Sequence, residues 1–234
     1  MIIIDKVQTC GWEPALRGMR NPKNSWNRAD SISNHDRAPD LGYNDLKLST
    51  TLAKGGPVHA KYRRMITIYC DITAPLYWWK EFDTYKVGTV ANSCSTMHKL
   101  HEKPLTIDNF AHDYLSECQR NLLQFIIDSI NECRRNFLEA TDSDTAKQVW
   151  NQMIQLLPSS YLQKRTVMFN YEVASNIYHS PRWNHKLSEW RIFCEWLQTL
   201  PYAKYLIIDP YQFDRDLEQK AKDELQFNHK STND

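Results

Sequence analysis

The sequence predicts an α+β fold, in which a central antiparallel or mixed sheet is flanked by helices and carries a mostly helical lobe. The first observation is the segment from Arg64 to Thr73, where every even position from 66 to 72 is isoleucine or cysteine. Alternation of this kind is typical of a half-buried strand. The second is an apolar stripe at helical spacing between Thr106 and Ala140, which predicts a long core or interface helix.

The amino-terminal part is predicted to alternate short elements with one long loop. Met1 to Lys6 is predicted as a strand, and Gly11 to Arg20 as a turn that enters a brief helix. Residues 21–43 are polar and rich in turn formers, so we expect a long, partly disordered surface loop of a kind that often carries function. A helix over Asn44 to Lys54 then stops at a Gly-Gly pair.

The central strand is followed by a helix, a polar loop and further helices. Ala74-Pro75 ends the strand, because proline is well placed in the first turn of a helix. Residues 84–97 are rich in Ser, Thr, Gly and Asn, which indicates a ligand-facing loop. Helices are predicted over 143–157 and 186–200. We expect one domain over residues 1–210, with the helical lobe at about 106–157, and a charged tail over 211–234.

The composition favours a globular protein without a strong electrostatic field. The chain has 234 residues, of which 41% are hydrophobic, so it can bury a sizeable core. The 29 basic and 28 acidic residues leave a formal charge of +1, which argues against nucleic acid or an anionic membrane as partner. Asp5 and Lys6 interrupt the apolar start and no run reaches transmembrane length, so we expect a cytoplasmic protein.

Known metal, nucleotide-loop and hydrolase motifs do not occur. The six cysteines lie apart without a C-x-x-C pair, so we expect buried free thiols and no metal. His98 and His101 have the spacing of helical metal ligands but lack nearby carboxylates or cysteines. The absence of G-x-G-x-x-G, Walker, H-E-x-x-H and G-x-S-x-G motifs argues against Rossmann, P-loop, zincin and serine-hydrolase functions.

The segment from Asp45 to Leu100 resembles the core of the flavin-dependent thymidylate synthase (ThyX) family. In that family a helix leads to a loop with a histidine, then to a strand ending in Ala-Pro, a helix and the signature R-H-R-x-x-S-x-N-E-x-S-x-R-Y. Here the strand and Ala74-Pro75 match in place, and His59 falls at the loop histidine. The resemblance extends over most of Met1 to about Ile208, and it implies the fold stated above.

The signature aligns by position although its arginines are replaced. Its R-H-R falls on Thr84, Tyr85 and Lys86, and a glutamine that holds the nucleotide in the family corresponds to Glu81. Of these three positions only Lys86 carries a positive charge. Arginine forks match phosphate oxygens with paired N–H donors, whereas a lysine supplies only a point charge, so we expect weaker phosphate binding there. A carboxylate at Glu81 would repel a nucleotide phosphate unless it turns away or pairs with a neighbouring lysine.

The remaining positions carried over from the family lie further along the chain. The Asn and later Ser of the signature fall on Asn92 and Ser95, and its final tyrosine on His98. The family's A-R-x-V-L-P arginine corresponds to Arg165, and a last-helix motif retains Arg191. Arg165 is the best anion-binding candidate, with an ordinary helix-surface arginine as the alternative. For Asn92 and Ser95 the alternative is turn capping, and for His59 a plain loop residue.

The resemblance implies a homotetramer with sites between subunits, FAD as cofactor and dUMP as substrate. With the signature arginines replaced, we expect a ThyX-like nucleotide-binding protein whose thymidylate synthase activity is altered or lost. One alternative is an active flavin-dependent thymidylate synthase or a relative that modifies another pyrimidine. The other is a non-catalytic phage protein that sequesters a nucleotide signal.

Overall fold

The computed structural model of the chain describes residues 1–34 and 37–231. Its strands are β1 (Ile3–Cys10), β2 (Thr67–Pro75), β3 (Thr89–Ser93) and β4 (Leu162–Asn170). They form a four-stranded antiparallel sheet in the order β1-β2-β4-β3. The predicted α+β fold with a central antiparallel sheet is thereby confirmed.

Helices connect and cover these strands. In chain order they are α1 (Trp12–Arg20), α2 (Tyr43–Lys54), α3 (Leu76–Phe82), α4 (Thr96–Lys99), α5 (Glu117–Glu139), α6 (Ser143–Leu156), α7 (Tyr171–His179), α8 (Ser188–Leu197) and α9 (Gln212–Ser231). Within residues 1–34 and 37–231, no helix combines the length and the apolar character needed to cross a bilayer.

The main core lies between one face of the sheet and four helices. Even-numbered residues of β2 from Ile68 to Ala74 point to this face, as do the odd-numbered residues of β4 from Gln163 to Phe169. Residues of α1, α3, α7 and α8 cover it, and Trp78 and Trp190 are completely buried there. Side chains on the other face, such as Tyr69, are more exposed. A side chain on this sheet is therefore assigned to the core or to the outer face by its register.

A second hydrophobic cluster lies in the segment predicted as a helical lobe. Helices α5 and α6 pack together and bury Leu123, Ile127 and Met153. A capping box at Ser116 begins α5, and the Asp142 side chain caps α6, so the first free N–H groups of both helices are satisfied. Helix packing and capping therefore build this lobe, and Phe110 connects it to Tyr161 directly before β4.

The carboxy-terminal segment begins as a helix attached to the rest of the fold. Phe213 near the start of α9 is buried and packs edge-on against Tyr205, with ring centroids 5.8 Å apart. The division into one domain over residues 1–210 and a charged tail over 211–234 is kept as a proposal.

The polar segment 21–43 is held by buried polar contacts, although positions 35 and 36 lie outside the described residues. Arg20 donates hydrogen bonds to the carbonyl oxygens of Ser25 and Arg28 at 3.1 and 2.9 Å. The Tyr202 hydroxyl bonds to the main chain at positions 39 and 41, at 2.9 Å in each case. The loop therefore has fixed anchors at both ends, which its composition does not reveal.

Two regions differ from the sequence-based expectation. The polar stretch 84–97 contains the edge strand β3, and α7 follows directly on β4 where no helix was predicted. Arg165 lies on β4, paired with Ile72 on one side and Ser93 on the other, and not on a helix surface. Pairing with strands distant in sequence determines these elements, and such pairing leaves only a weak local pattern.

Candidate functional site

Two arginines flank the turn that joins α3 to β3, the segment onto which the family signature falls. Arg165 approaches from β4, and Arg182 from the connection between α7 and α8. Each guanidinium lies over a tryptophan ring and is ion-paired with a carboxylate at the end of α3 or just after it. The site is therefore built from three parts of the chain that the fold brings together.

Arg165 is held in a single orientation by three kinds of contact. Its guanidinium carbon lies 4.2 Å from the ring centroid of Trp79. Its Nε donates to Oε1 of Gln163 at 2.9 Å, and its Nη1 donates to Oδ1 of Asp83 at 2.8 Å. The side chain is only 16% exposed, whereas that of Asp83 is 52% exposed. The Arg165 guanidinium is therefore largely buried, and the Asp83 carboxylate that binds it is open to solvent.

Gln163 connects the arginine to its surroundings. Its Nε2 donates to the carbonyl oxygen of Cys94 at 3.0 Å, while its own main-chain oxygen accepts the indole N–H of Trp79 at 3.0 Å. The residue is buried. Because its amide is bonded at both ends, Gln163 fixes the distance between Arg165, the tryptophan and the start of the loop after β3.

Arg182 was not singled out from the sequence, yet it contacts two of the predicted site residues. Its Nε donates to the Tyr85 hydroxyl at 2.9 Å and its Nη1 to Oε2 of Glu81 at 3.0 Å. Its guanidinium carbon lies 4.3 Å from the ring centroid of Trp190. Burial alone would lower the pKa of Arg182, but the hydrogen bonds to Tyr85 and Glu81 outweigh it and raise the pKa above its ordinary value. The arginine therefore stays charged.

The partner of Glu81 explains how a carboxylate is accommodated at this position. The expected repulsion would be avoided by pairing with Lys80 or Lys86, but the observed partner is Arg182, from a segment about a hundred residues away. A Ser-Pro-Arg-Trp stretch between two helices carries no motif, so only the tertiary contact reveals the role of this arginine.

A small pocket of about 150 Å³ lies between the turn and β3. It is lined by Phe82, Asp83, Tyr85, Lys86, Thr89 and Ala91. The Thr89 hydroxyl is buried and makes no hydrogen bond within the described part of the chain. Buried polar groups without a partner are uncommon in native proteins and call for an explanation, of which a missing ligand or water is one. The pocket thus offers a hydroxyl and, at Lys86, an ammonium group.

The other predicted residues of the signature segment have local roles. Thr84 donates to the Glu81 carbonyl at the end of α3, at 2.7 Å. Ser95 caps α4 by accepting the His98 main-chain N–H at 3.2 Å, and the His98 side chain is exposed. Asn92 is exposed and pairs with Thr166, so it lies on the opposite face of the sheet from Arg165. The bond of Ser95 is thus the kind that the capping alternative describes, and Thr84 bonds to the last turn of α3.

Two further predicted residues lie outside this cluster. His59 is exposed and folds against Gly55, and among the described residues it has no hydrogen bond to the two site arginines. Arg191 is exposed on α8, where its Nε is 3.8 Å from a carboxylate oxygen of Glu195. The cluster within one chain therefore comprises Glu81, Tyr85, Lys86 and Arg165 from the predicted set, together with Arg182 and Asp83.

A larger cavity, of about 1120 Å³, lies elsewhere, between α1, the end of β1, the 21–43 loop and the end of α8. Its buried charges, Arg20 and Asp45, satisfy each other. Among the residues the structure describes, no group of three or more His, Cys, Asp or Glu side chains could hold a metal ion. Of the six cysteines, which were expected to be buried, Cys70 and Cys194 are buried, whereas Cys10, Cys94 and Cys118 are exposed.

The sheet order, the helix-covered face and the position of this site define a ThyX-like α+β fold. Similar solved structures include thymidylate synthase ThyX from Helicobacter pylori with FAD and dUMP, at a TM-score of 0.63 and 14% identity over 88% of this chain and 96% of that one. The UMP/dUMP methylase PolB from Streptomyces cacaoi with 5-Br dUMP aligns at a TM-score of 0.54 and 12% identity, over 89% and 92%. No protein-family model and no curated protein matches the sequence.

The fit of a flavin can be tested against the pocket dimensions. Pockets that enclose drug-sized ligands occupy about 300–1,000 Å³, and the cavity at the α3–β3 turn is smaller than this range. It is also partly closed by Tyr85, which Arg182 holds in place. The cavity at the α3–β3 turn of one chain is therefore too small to enclose FAD by itself.

Proposed function

We propose that this protein binds a pyrimidine nucleotide at the turn between α3 and β3, and that its thymidylate synthase activity is altered or lost. The observation that carries the proposal is the pair Arg165 and Arg182, each stacked on a tryptophan on either side of that turn. Guanidinium groups match phosphate oxygens with paired N–H donors. The two arginines therefore supply the charge that the signature positions lack.

Stacking favours phosphate binding because it preorganises the donors. A guanidinium held on an indole face loses little further freedom when a ligand binds, and part of its hydration has already been removed. Glu81 and Asp83 neutralise the arginines in the free protein, but both carboxylates are about half exposed. Each pair is therefore open to solvent on its carboxylate side, where a phosphate can take the place of the carboxylate.

The pocket beside the turn supports a pyrimidine as the base. Thr89 offers a buried hydroxyl that can donate to or accept from a ring substituent, and the Tyr85 ring provides an aromatic wall. ThyX from Helicobacter pylori with dUMP and the PolB methylase with 5-Br dUMP, both similar in fold, are consistent with a uracil nucleotide. UMP and dUMP are therefore the ligands to test first.

The residues at the signature positions support altered chemistry. Tyr85 and Glu81 are bonded to Arg182, and Thr84 caps a helix, so these side chains already satisfy one another. FAD would have to bind where a second subunit completes the site, in the homotetramer that the ThyX resemblance implies. His59, Asn92 and Arg191 are exposed on one chain and are proposed to act, if at all, at such a subunit boundary.

Calorimetry with UMP, dUMP and the corresponding nucleosides tests the binding proposal. We expect micromolar binding of a monophosphate, weakened at least tenfold by Arg165→Gln and by Arg182→Gln, because each removes one guanidinium. Arg215→Gln, which removes an exposed guanidinium paired with Asp209, is the matched control and should retain binding. Absence of binding by the wild-type protein at millimolar nucleotide would refute the proposal.

An active flavin-dependent thymidylate synthase, or a relative that modifies another pyrimidine, is the second candidate function, because the fold is similar to those of ThyX and PolB. A measurement of enzymatic turnover distinguishes it from a protein with altered or lost activity. The purified protein would be examined for flavin absorbance and incubated with dUMP, methylenetetrahydrofolate and a reductant. Formation of a methylated nucleotide, or rescue of a thymidine-requiring bacterial strain, would establish the enzyme. Recovery of the bound nucleotide unchanged after heat denaturation would instead support a sequestering protein.

A further inference from the structure

We propose that Asp83 competes with the ligand phosphate for Arg165: it binds this arginine in the free protein and is exchanged for the phosphate when the ligand binds, so it sets the affinity of ligands that use the guanidinium. The inference rests on the proposed nucleotide-binding function and goes beyond it by assigning the residue that competes with the phosphate. Asp83 has no counterpart among the residues carried over from the family signature.

The bonding of Arg165 leaves one side of its fork available. Nε is taken by Gln163 and Nη1 donates to one Asp83 oxygen, while Nη2 donates no hydrogen bond within the described residues. A phosphate dianion can accept from Nη1 and Nη2 together, whereas Asp83 uses only Nη1. The exchange therefore replaces a single charge-assisted bond by a bidentate pair and keeps the bond to Gln163.

Asp83 is placed so that it can leave. It follows the last residue of α3, its side chain is about half exposed, and it also lines the small pocket. Its main-chain N–H remains bonded to the Trp79 carbonyl at 2.8 Å, so a change of side-chain rotamer is sufficient to free Arg165. The carboxylate then reaches solvent, and the phosphate enters at the rim of the pocket that accepts the base.

The competition acts only on ligands that use Arg165. A neutral nucleoside cannot neutralise Arg165, so it leaves the Asp83 contact intact and gains nothing from the guanidinium. A monophosphate must outcompete an internal carboxylate, which it does through higher charge and three acceptor oxygens. Asp83 thus lowers the affinity of every ligand that displaces it from Arg165 by the same factor, and it leaves the affinity of neutral ligands unchanged.

The test compares Asp83→Asn with the wild-type full-length protein by calorimetry, using dUMP, deoxyuridine and inorganic phosphate as probes. Removal of the competing charge should tighten dUMP and phosphate binding about two- to fivefold, the change that the loss of a half-exposed ion pair allows. Deoxyuridine affinity should stay unchanged. Asp209→Asn, which removes the carboxylate paired with Arg215 in the segment before α9, controls for the change in net charge.

The possible outcomes separate the two proposals. Equal dUMP affinity of the wild type and Asp83→Asn, or weaker binding by the variant, overturns the exchange while leaving nucleotide binding intact. Equal tightening by Asp209→Asn shows a general charge effect and also overturns it. If neither wild type nor variant binds any probe nucleotide at millimolar concentration, the proposed function fails, and the exchange fails with it.

Discussion

Arg20 and Asp45 form an ion pair beneath the loop that joins α1 to α2, with Nη2 of the arginine 2.6 Å from Oδ1 of the aspartate and both side chains at most 3% exposed. The second carboxylate oxygen accepts bonds from the Ser31 hydroxyl and main chain at 2.6 and 3.0 Å. The pair thus ties two helices to the loop between them. A buried pair of this kind is costly to break, since removal of one partner leaves an uncompensated charge.

Asp45→Asn should destabilise the protein by about 3–5 kcal/mol, because Arg20 would keep its buried charge without a carboxylate. Urea unfolding followed by circular dichroism measures the change. Glu195→Gln, which breaks the exposed pair with Arg191, is the control and should change the unfolding free energy by less than about 0.5 kcal/mol. Equal effects of the two variants would show that the buried pair does not stabilise the loop.

The same pair predicts loss of stability in acid. Burial alone would raise the pKa of Asp45, but hydrogen bonds from Ser31 and Arg20 outweigh it and hold the pKa below the ordinary 3.8. A lowered folded-state pKa stabilises the protein above the unfolded-state pKa, and this stability is lost as the pH falls through the folded-state value. Thermal unfolding between pH 6 and pH 2 should therefore drop more steeply for wild type than for Asp45→Asn below about pH 4. Parallel pH curves for the two proteins would contradict this.

Gly11 is predicted to tolerate no side chain. Its φ is +81°, and a Cβ there would lie 2.1 Å from the carbonyl oxygen of Met65. Gly11→Ala should therefore cost more than about 2 kcal/mol, since backbone strain adds to a clash with main-chain atoms. Gly56→Ala is the matched control, because φ is +86° there and nothing lies within 4 Å; it should cost only about 1 kcal/mol. Thermal denaturation measures the loss of stability in both variants. A larger loss for Gly11→Ala than for Gly56→Ala indicates a steric clash in addition to backbone strain, and equal losses indicate strain alone.

Gln163→Leu should destabilise the protein by about 1–3 kcal/mol and weaken nucleotide binding. The leucine would leave the Arg165 Nε and the Cys94 carbonyl without their partner, and unpaired buried polar groups carry this cost. Stability is measured by urea unfolding and binding by calorimetry with dUMP. The control is Thr166→Val. Thr166 lies on the other face of β4, where its hydroxyl donates an exposed hydrogen bond to Asp71 of β2, so its replacement should change stability and nucleotide affinity little. If Gln163→Leu leaves dUMP affinity unchanged, Gln163 does not position Arg165 for nucleotide binding.

The exposed side of α5 is expected to form a subunit contact in the predicted homotetramer. Leu122 and Phe125 lie on one side of the helix and are 61% and 68% exposed, whereas its buried side faces α6. Large exposed apolar side chains on one face commonly mark an interaction surface. Phe125→Glu should therefore lower the mass measured by light scattering, and the exposed substitution Gln155→Glu on α6 should not. If the wild-type protein is already monomeric in light scattering, the predicted subunit contact through α5 is wrong.

The sequence by itself determined the fold class and several elements. Strict alternation before Ala74-Pro75 predicted β2, and apolar residues at helical spacing predicted the long helix α5. These patterns are readable because burial of one face acts on neighbouring residues of the same segment. The helix after Ala74-Pro75 was also predicted, whereas the segment with Tyr85 and Lys86 was predicted as a loop without β3.

Only the tertiary structure decided which charged groups meet at that turn. Arg182 is separated from Glu81 by about a hundred residues, and Arg165 reaches Asp83 and Trp79 through the pairing of β4 with β2 and β3. The same pairing places Asn92 on the opposite face from Arg165. Such contacts depend on strand register and on the packing of distant helices, and because neither leaves a periodic signal in the local sequence, the partners of each arginine could be read only from the folded chain.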